Sequence, residues 1–314
     1  GDVSHTAYQG FAERYFLRRH PTMSEDILAK YGGDFNENIP IWDLFSLKGK
    51  VAIVTGGAGV YGSVISTALA EAGAAVVIAS RGLEKCQARA AELRERGLEA
   101  AGMPLDMTSD ESILALRDAV MERFGGFDVV FNNAAGRAVG TAEEQIKAGF
   151  KHQGKTSMEH MTREMWEGAM AVNSSGFFKC CQVFAEDLRA RGVHGSIVNI
   201  SSIYGNVGPD FSIYGDTGMT SPPDYSYSKA GIINFTRYMA TFYGRFGIRV
   251  NCISPGGYYS NQPVEFLRRY EARTPLGRMA GWNDLKGAAV FLASDASRYI
   301  TGHNLMVDGG WTAW

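Results

Sequence analysis

From Gly49 onward the chain alternates two kinds of segment, and this alternation limits the folds open to it more than any other feature. Short β-branched runs stop at glycine, and longer segments carry apolar residues at helical spacing. KVAIVTGG, SVISTALAEAG and AAVVIASR are the first set: a buried strand, a helix closed by a C-terminal glycine, and a second buried strand. The rhythm predicts helices over 83–96 and 109–124 and strands at 100–105 and FDVVFNNAAG. It continues with a helix over 163–188, the strand GSIVNISS, a helix from about Tyr225 to Phe246, the strand IRVNCISPG, a helix near 282–293 and a final strand at NLMVDGG. Strands this apolar leave no face for solvent, so helices must cover both sides of a parallel sheet. The expected fold class is α/β, a doubly wound parallel sheet forming one domain over residues 49–314, without internal repeats.

Residues 1–48 break the rhythm. A short helix is expected at Phe11 to Arg19, ahead of a stretch of mixed polarity, and the whole is expected to form an arm that packs on the body or on a neighbouring subunit, a disordered tag being the alternative. Lys and Arg number 31 against 33 Asp and Glu, a net charge of -2, which lacks the basic excess that grips a phosphate backbone; no nucleic-acid partner is expected. No run approaches 18 apolar residues, and the opening GDVSHTAYQGFAERYFLRRHP lacks a positive patch followed by an apolar segment, so a cytoplasmic location without a membrane partner is expected. Cys86, Cys180, Cys181 and Cys252 show no metal-ligand spacing; they read as packed, reduced thiols, and no metal site is expected.

Directly after the first strand stands Thr55-Gly56-Gly57-Ala58-Gly59-Val60-Tyr61-Gly62, and residues 57–62 satisfy G-x-G-x-x-G. At a strand-to-helix turn, glycine allows the backbone to approach a pyrophosphate, which then rests on the free N–H groups and positive end of the following helix. Gly56, Gly57, Gly59, Tyr61 and Gly62 are therefore candidate cofactor contacts in a Rossmann-type fold. The second strand ends Ala79-Ser80-Arg81, with no carboxylate to hold a ribose 2′-hydroxyl, and Arg81 offers a planar fork of donors to a 2′-phosphate. NADP(H) is favoured through Ser80 and Arg81, and NAD(H) is the alternative, since a surface arginine after a strand is also common.

In Tyr225-Ser226-Tyr227-Ser228-Lys229, Tyr225 and Lys229 are four apart on a helix and share one face. A phenol with a pKa near 10 needs a neighbouring cation to act as a base at neutral pH. Such a pair also arises by chance as a solvated tyrosine beside a lysine.

Residues 49–312 resemble the short-chain dehydrogenase/reductase family, with LKGKVAIVTGG, FNNAAG, SIVNISS, YSYSKAG, GIRVNCISPGG and VDGG in the family's order. The resemblance implies hydride transfer between a nicotinamide cofactor and a carbinol carbon. It gives Tyr225 the role of proton donor and acceptor, Lys229 the nicotinamide ribose and a lowered tyrosine pKa, Ser202 the substrate oxygen, and Asn173 support of a proton relay. Asn133 would line the cofactor, Asp106 the adenine, and Gly256 with Tyr258 the nicotinamide side. It also implies a homotetramer or dimer packed through the helices that carry Asn173 and Tyr225. The chain departs from the pattern in carrying Val60 where the family has glycine, and in the wide spacing of Ser202 and Tyr225, between which lies a loop expected to overhang the substrate.

With its LFSLKGK lead, the long loop before Tyr225 and the ending RTPLGRMA…FLASDASRYITGHNLMVDGGWTAW, the chain more closely resembles the branch acting on sugars, polyols and sugar acids. This resemblance implies a polyhydroxylated substrate, for which Asn206, Asp210, Asp216 and Thr217 offer partners. A lipid or steroid carbonyl is the competing reading, with Phe211, Tyr214, Tyr258 and Tyr259 as an apolar wall. The segment 137–163, with Arg137, Lys147, Lys151, His152, Lys155, His160 and Arg163, would suit an anionic group if it caps the pocket, and is otherwise a solvated loop. A dinucleotide-sensing protein on the same fold is the non-enzyme alternative.

Overall fold

The computed structural model describes residues 38–136 and 156–314. Residues 38–44 contain one turn of helix, Ile41–Leu44, and the described residues from Phe45 onward form a separate compact unit. The expected arm and its helix at Phe11 to Arg19 lie almost wholly outside the described residues.

Seven parallel strands make the sheet: β1 (Val51–Thr55), β2 (Ala75–Ser80), β3 (Ala100–Pro104), β4 (Val129–Asn132), β5 (Ser196–Ile200), β6 (Arg249–Pro255) and β7 (Asn304–Val307). Their order is β3-β2-β1-β4-β5-β6-β7. The chain therefore winds outward from β1 in one direction and from β4 in the other. A crevice opens where the direction reverses, beyond Thr55 and Asn132, which are paired in register.

Helices α1 (Val60–Glu71), α2 (Leu83–Glu95), α3 (Asp110–Phe124), α4 (Arg163–Met170), α5 (Phe177–Arg191), α6 (Pro223–Tyr243), α7 (Val264–Arg273) and α8 (Lys286–Ala293) complete the unit. Ile113, Phe184, Leu188 and Ile232 from α3, α5 and α6 bury one face of the sheet. Ile65, Leu69, Leu93 and Leu292 from α1, α2 and α8 bury the other. A third cluster, Ile203, Ile213, Tyr214, Phe266, Tyr270, Met279 and Trp311, gathers residues that follow β5, β6 and β7.

Three elements differ from the sequence reading. The helix expected over 163–188 is broken into α4 and α5 by one wide π-helical turn, Ala171–Gly176, where a Cβ on Gly176 would collide with the Met107 carbonyl. The helix expected from 282 starts at Lys286. Helix α7 has no counterpart in the sequence reading, because VEFLRRYEAR buries only Phe266 and Tyr270 and shows too short an apolar stripe.

The glycine turn is sterically specified. Gly56 has φ +63°, and a Cβ there would sit 2.8 Å from the Ala134 Cα; a Cβ on Gly62 would collide with the Gly56 carbonyl oxygen, whereas one on Gly59 would meet only that oxygen at 3.2 Å. Gly62→Ala is expected to cost about 1–3 kcal/mol by overpacking, and Gly59→Ala, at the N-cap of α1, less than about 1 kcal/mol. Urea denaturation of the two variants checks the ranking.

Candidate active site

Helix α6 is pinned to strand β5 by three hydrogen bonds. Asn199 Nδ2 donates to Thr236 Oγ1 at 2.9 Å, Ser201 Oγ donates to the Lys229 carbonyl at 2.7 Å, and Lys229 Nζ donates to the Ile200 carbonyl at 2.7 Å. Together they fix the rotation and register of the helix on the strand. Lys229 is buried, with its Nζ 5.6 Å from the centre of the Tyr225 ring, and burial pulls the ammonium down to about 8. Ser202 is the next residue but one after β5. Its Oγ accepts from the Tyr204 N–H at 3.2 Å, which starts a short turn at Ile203–Gly205. Tyr225, Lys229, Ser201 and Ser202 line one cavity of about 310 Å³. Ser201, with its hydroxyl committed to the Lys229 carbonyl, is a structural strand-end residue.

Asn173 stands in the wide turn between α4 and α5 and is not among the residues lining that cavity. Its Oδ1 accepts from the Gly136 N–H at 2.7 Å and its Nδ2 donates to the Gly136 carbonyl at 3.0 Å. Both ends of the amide therefore hold the loop that follows β4.

The residues expected to contact the cofactor fall into two groups. At the crevice, Asn133 Nδ2 donates to the carbonyls of Thr55 at 3.0 Å and Gly56 at 3.2 Å, so Asn133 clamps the glycine turn. The Tyr61 hydroxyl donates to the Gly256 carbonyl, and the Tyr61 ring meets Tyr258 edge-on at 5.6 Å. The Gly257 N–H donates to the Tyr270 hydroxyl at 2.5 Å. Two phenols from separate helices thus hold the Gly256–Gly257 segment, and Tyr61, Asn133, Gly256 and Tyr258 all line the cavity. At the ends of β2 and β3, Ser80 Oγ lies 2.9 Å from Cys86 Sγ and Arg81 is exposed. Hydrogen bonds from Thr108 hold the Asp106 carboxyl below its usual range, and the positive charge of Arg81 adds to the effect. The turn fits a pyrophosphate: α1 starts from the N-cap Gly59 with no side chain capping its first N–H groups, which leaves these donors to an anion.

The loop between Ser202 and Tyr225 commits most of its polar groups to itself or to its neighbours. Asn206 donates to Ser254, Asp210 pairs with Arg273 at 3.1 Å, and Thr217 donates to the Tyr214 carbonyl. Of the four aromatic residues read as a wall, Tyr214 and Tyr258 line the cavity, while Phe211 and Tyr259 are exposed. Tyr204 and Tyr270 line it as well. Sequence reasoning missed both, Tyr270 because its helix was not seen and Tyr204 because nothing distinguishes it from other loop aromatics. In the basic segment, Arg137, Lys147, Lys151, His152 and Lys155 lie outside the described residues. His160 contacts Ser157 at 2.8 Å and Arg163 faces solvent, 3.7 Å from Glu167. The four cysteines are buried and unpaired, and no metal-ligand cluster occurs among the described residues.

Residues 59–312 match the family profile described as enoyl-(acyl carrier protein) reductase. The chain belongs to the short-chain dehydrogenase/reductase family and is an NAD(P)-dependent oxidoreductase. It is 34% identical over 268 residues to a cis-4-hydroxycyclohexanecarboxylate dehydrogenase of Sinomonas cyclohexanicum, covering 84% of this chain and 97% of that one. A gluconate 5-dehydrogenase from Burkholderia cenocepacia J2315, solved in complex with NADP and tartrate, has a TM-score of 0.74 at 30% identity, covering 88% of this chain and 100% of that chain. A short chain dehydrogenase from Leptospira borgpetersenii serovar Hardjo-bovis with bound NAD+ has a TM-score of 0.70 at 31% identity, covering 90% and 99% respectively.

Because the folded pKa of Lys229 lies below its unfolded value, the unfolded chain binds more protons between about pH 8 and 10.5. Lys229 therefore disfavours folding at neutral pH, and this penalty fades as pH rises through that window. Relative to Lys229→Met, the wild-type chain is expected to gain stability from pH 8 to 10, measured by denaturation of both at each pH. Taking the difference removes the opposite trend of Tyr61, Tyr204, Tyr214 and Tyr270, whose pKa values burial raises.

Proposed function

We propose that this enzyme interconverts a secondary alcohol and a ketone on a sugar, polyol or sugar acid, with Tyr225 as proton donor and acceptor and with NADP(H) favoured over NAD(H). The observation that carries the reading is the buried Lys229 ammonium beside the Tyr225 ring at a cavity wall. A cation in that place favours the phenolate and makes proton transfer at the Tyr225 hydroxyl feasible near neutral pH. Ser202, on the same wall, is suited to hydrogen-bond the substrate oxygen, and Lys229 to hold the nicotinamide ribose. Asn173 supports the relay in the family's pattern, and its bonds here steady the loop beside it. When bound, the nicotinamide supplies the hydride donor or acceptor.

Gly56, Gly57, Gly59, Tyr61 and Gly62 would hold the pyrophosphate side of the cofactor, Asp106 the adenine, and Asn133, Gly256 and Tyr258 the nicotinamide side. Ser80 and the exposed Arg81 would take a 2′-phosphate, a reading supported by the absence of a carboxylate at the end of β2 and by the NADP held by the Burkholderia enzyme. The substrate class is supported by the names of the relatives, which act on hydroxylated carboxylic acids. The four unpaired thiols favour the cytoplasm. Exposed aromatic residues on α5 and α6, Phe178, Tyr227, Tyr238 and Phe242, favour a homo-oligomer formed through those helices.

Tyr225→Phe is expected to lower turnover by about 10²- to 10⁴-fold while NADPH binding, followed by fluorescence, stays within about twofold of wild type; full turnover in the variant would sink the assignment. Arg81→Ala is expected to weaken NADPH binding by about 10-fold or more, as loss of a charge-assisted contact does, with NADH binding unchanged. Unchanged affinity for both cofactors would make Arg81 a surface residue, and equal losses would place its contact on a part that the two cofactors share.

A further inference from the structure

The turn that follows Ser202 is tied to the edge of the sheet by a closed ring of side chains. Asn206 Nδ2 donates to Ser254 Oγ at 3.0 Å, Ser254 Oγ donates to Asn304 Oδ1 at 2.7 Å, and Asn304 Nδ2 donates back to Asn206 Oδ1 at 2.7 Å. Asn206 Nδ2 also donates to the Ser202 carbonyl at 3.0 Å. The three residues come from the end of the turn, from β6 and from the edge strand β7, and Ser254 is fully buried. The Ser202 carbonyl permits only one sense of rotation in this ring. With either amide turned over, an amide oxygen would face another carbonyl oxygen.

Ser202 lines the cavity, and the three ring residues do not. The backbone is anchored on both sides of it. Before it, the Ser201 N–H donates to the Ile253 carbonyl at 2.8 Å and the Ser201 hydroxyl to the Lys229 carbonyl. After it, the Ser202 carbonyl receives the Gly205 N–H at 3.0 Å as well as the Asn206 amide. The Ser202 hydroxyl accepts from the Tyr204 N–H, which leaves its own proton for the substrate oxygen. Resting on the reading of Ser202 above as the donor to that oxygen, we propose that Asn206 and Asn304 are positioning residues for hydride transfer: their ring with Ser254 fixes the Ser202 carbonyl and, through it, the direction of the Ser202 hydroxyl at the cavity. Asn206, which the sequence offers as a substrate partner, is committed instead to Ser202, Ser254 and Asn304. Loosening the ring shifts a hydroxyl whose bond matters most as charge changes on the reacting oxygen, so the transfer step slows while ground-state binding holds.

The test sets the wild-type enzyme beside Asn206→Ala, Asn304→Ala, Ser202→Ala and the double variants that combine Ser202→Ala with each asparagine change. The probe is whichever of cis-4-hydroxycyclohexanecarboxylate, gluconate and D-arabinitol the wild-type enzyme oxidises fastest. Hydride transfer is followed in single turnover, KM in the steady state and NADPH affinity by fluorescence. Asn206→Ala and Asn304→Ala are each expected to slow transfer by about fivefold or more, with KM and NADPH affinity within about twofold of wild type. Each double variant is expected to match Ser202→Ala within about twofold, because a residue that acts through Ser202 has nothing left to position once that hydroxyl is gone. Melting temperatures show which variants are folded, and the Asn304→Ala cycle carries the test if Asn206→Ala is not. Wild-type transfer in a folded asparagine variant, or losses that multiply in a double variant, overturns this inference and leaves the role of Ser202 intact. Wild-type transfer in Ser202→Ala overturns the reading of Ser202 and this inference with it. Failure of the wild-type enzyme to turn over the three probes and a wider set of secondary alcohols overturns the oxidoreductase reading as well.

Discussion

The bond from the Lys229 ammonium to the Ile200 carbonyl is the interaction on which the site depends. A buried cation is costly unless it has a partner, and here the partner is the last carbonyl of a central strand. That requirement draws α6 against β5 at one register, which the Ser201 hydroxyl and the Asn199 amide then lock from either side. Tyr225, one helical turn before Lys229, is carried to the cavity wall by the same constraint. The arrangement accepts a cation whose burial opposes folding in order to place a positive charge beside a phenol.

The second organising contact is the hold on Gly256 and Gly257. Tyr61 reaches them from α1 and Tyr270 from α7, so the segment after β6 is tied both to the start of α1 and to the third, aromatic cluster. Tyr270 is itself stacked on Trp311 with ring centres 4.4 Å apart. The glycine turn and the aromatic cluster are thereby joined through phenol hydroxyls that also line the cavity.

Much of this was legible in the sequence because it follows from strong, local signals. Short apolar runs located all seven strands, β4 and β7 with expected ends a few residues beyond the observed ones. Gly62 after β1, Ser202 after β5 and the Tyr225–Lys229 spacing marked positions that the fold brings to one crevice or its margin. What escaped was set by tertiary contacts. The break at Ala171–Gly176 depends on Met107 and Gly136, both distant in sequence, and α7 depends on a two-residue stripe that only the aromatic cluster completes. Tyr61 was noted as part of a motif, but its bond to Gly256, 195 positions away, has no trace in the sequence around it.

Pinning α6 to β5 is expected to position the proton-transfer group. Single-turnover hydride transfer in Ser201→Ala, set beside NADPH affinity in the same variant, tests it most directly, because Ser201 contacts the helix backbone and is not assigned a step in the chemistry. NADPH affinity is expected to stay close to wild type and the transfer step to slow by about tenfold or more, in keeping with the cost of small misplacements at a reacting centre. An unchanged transfer rate in a folded Ser201→Ala enzyme would contradict it.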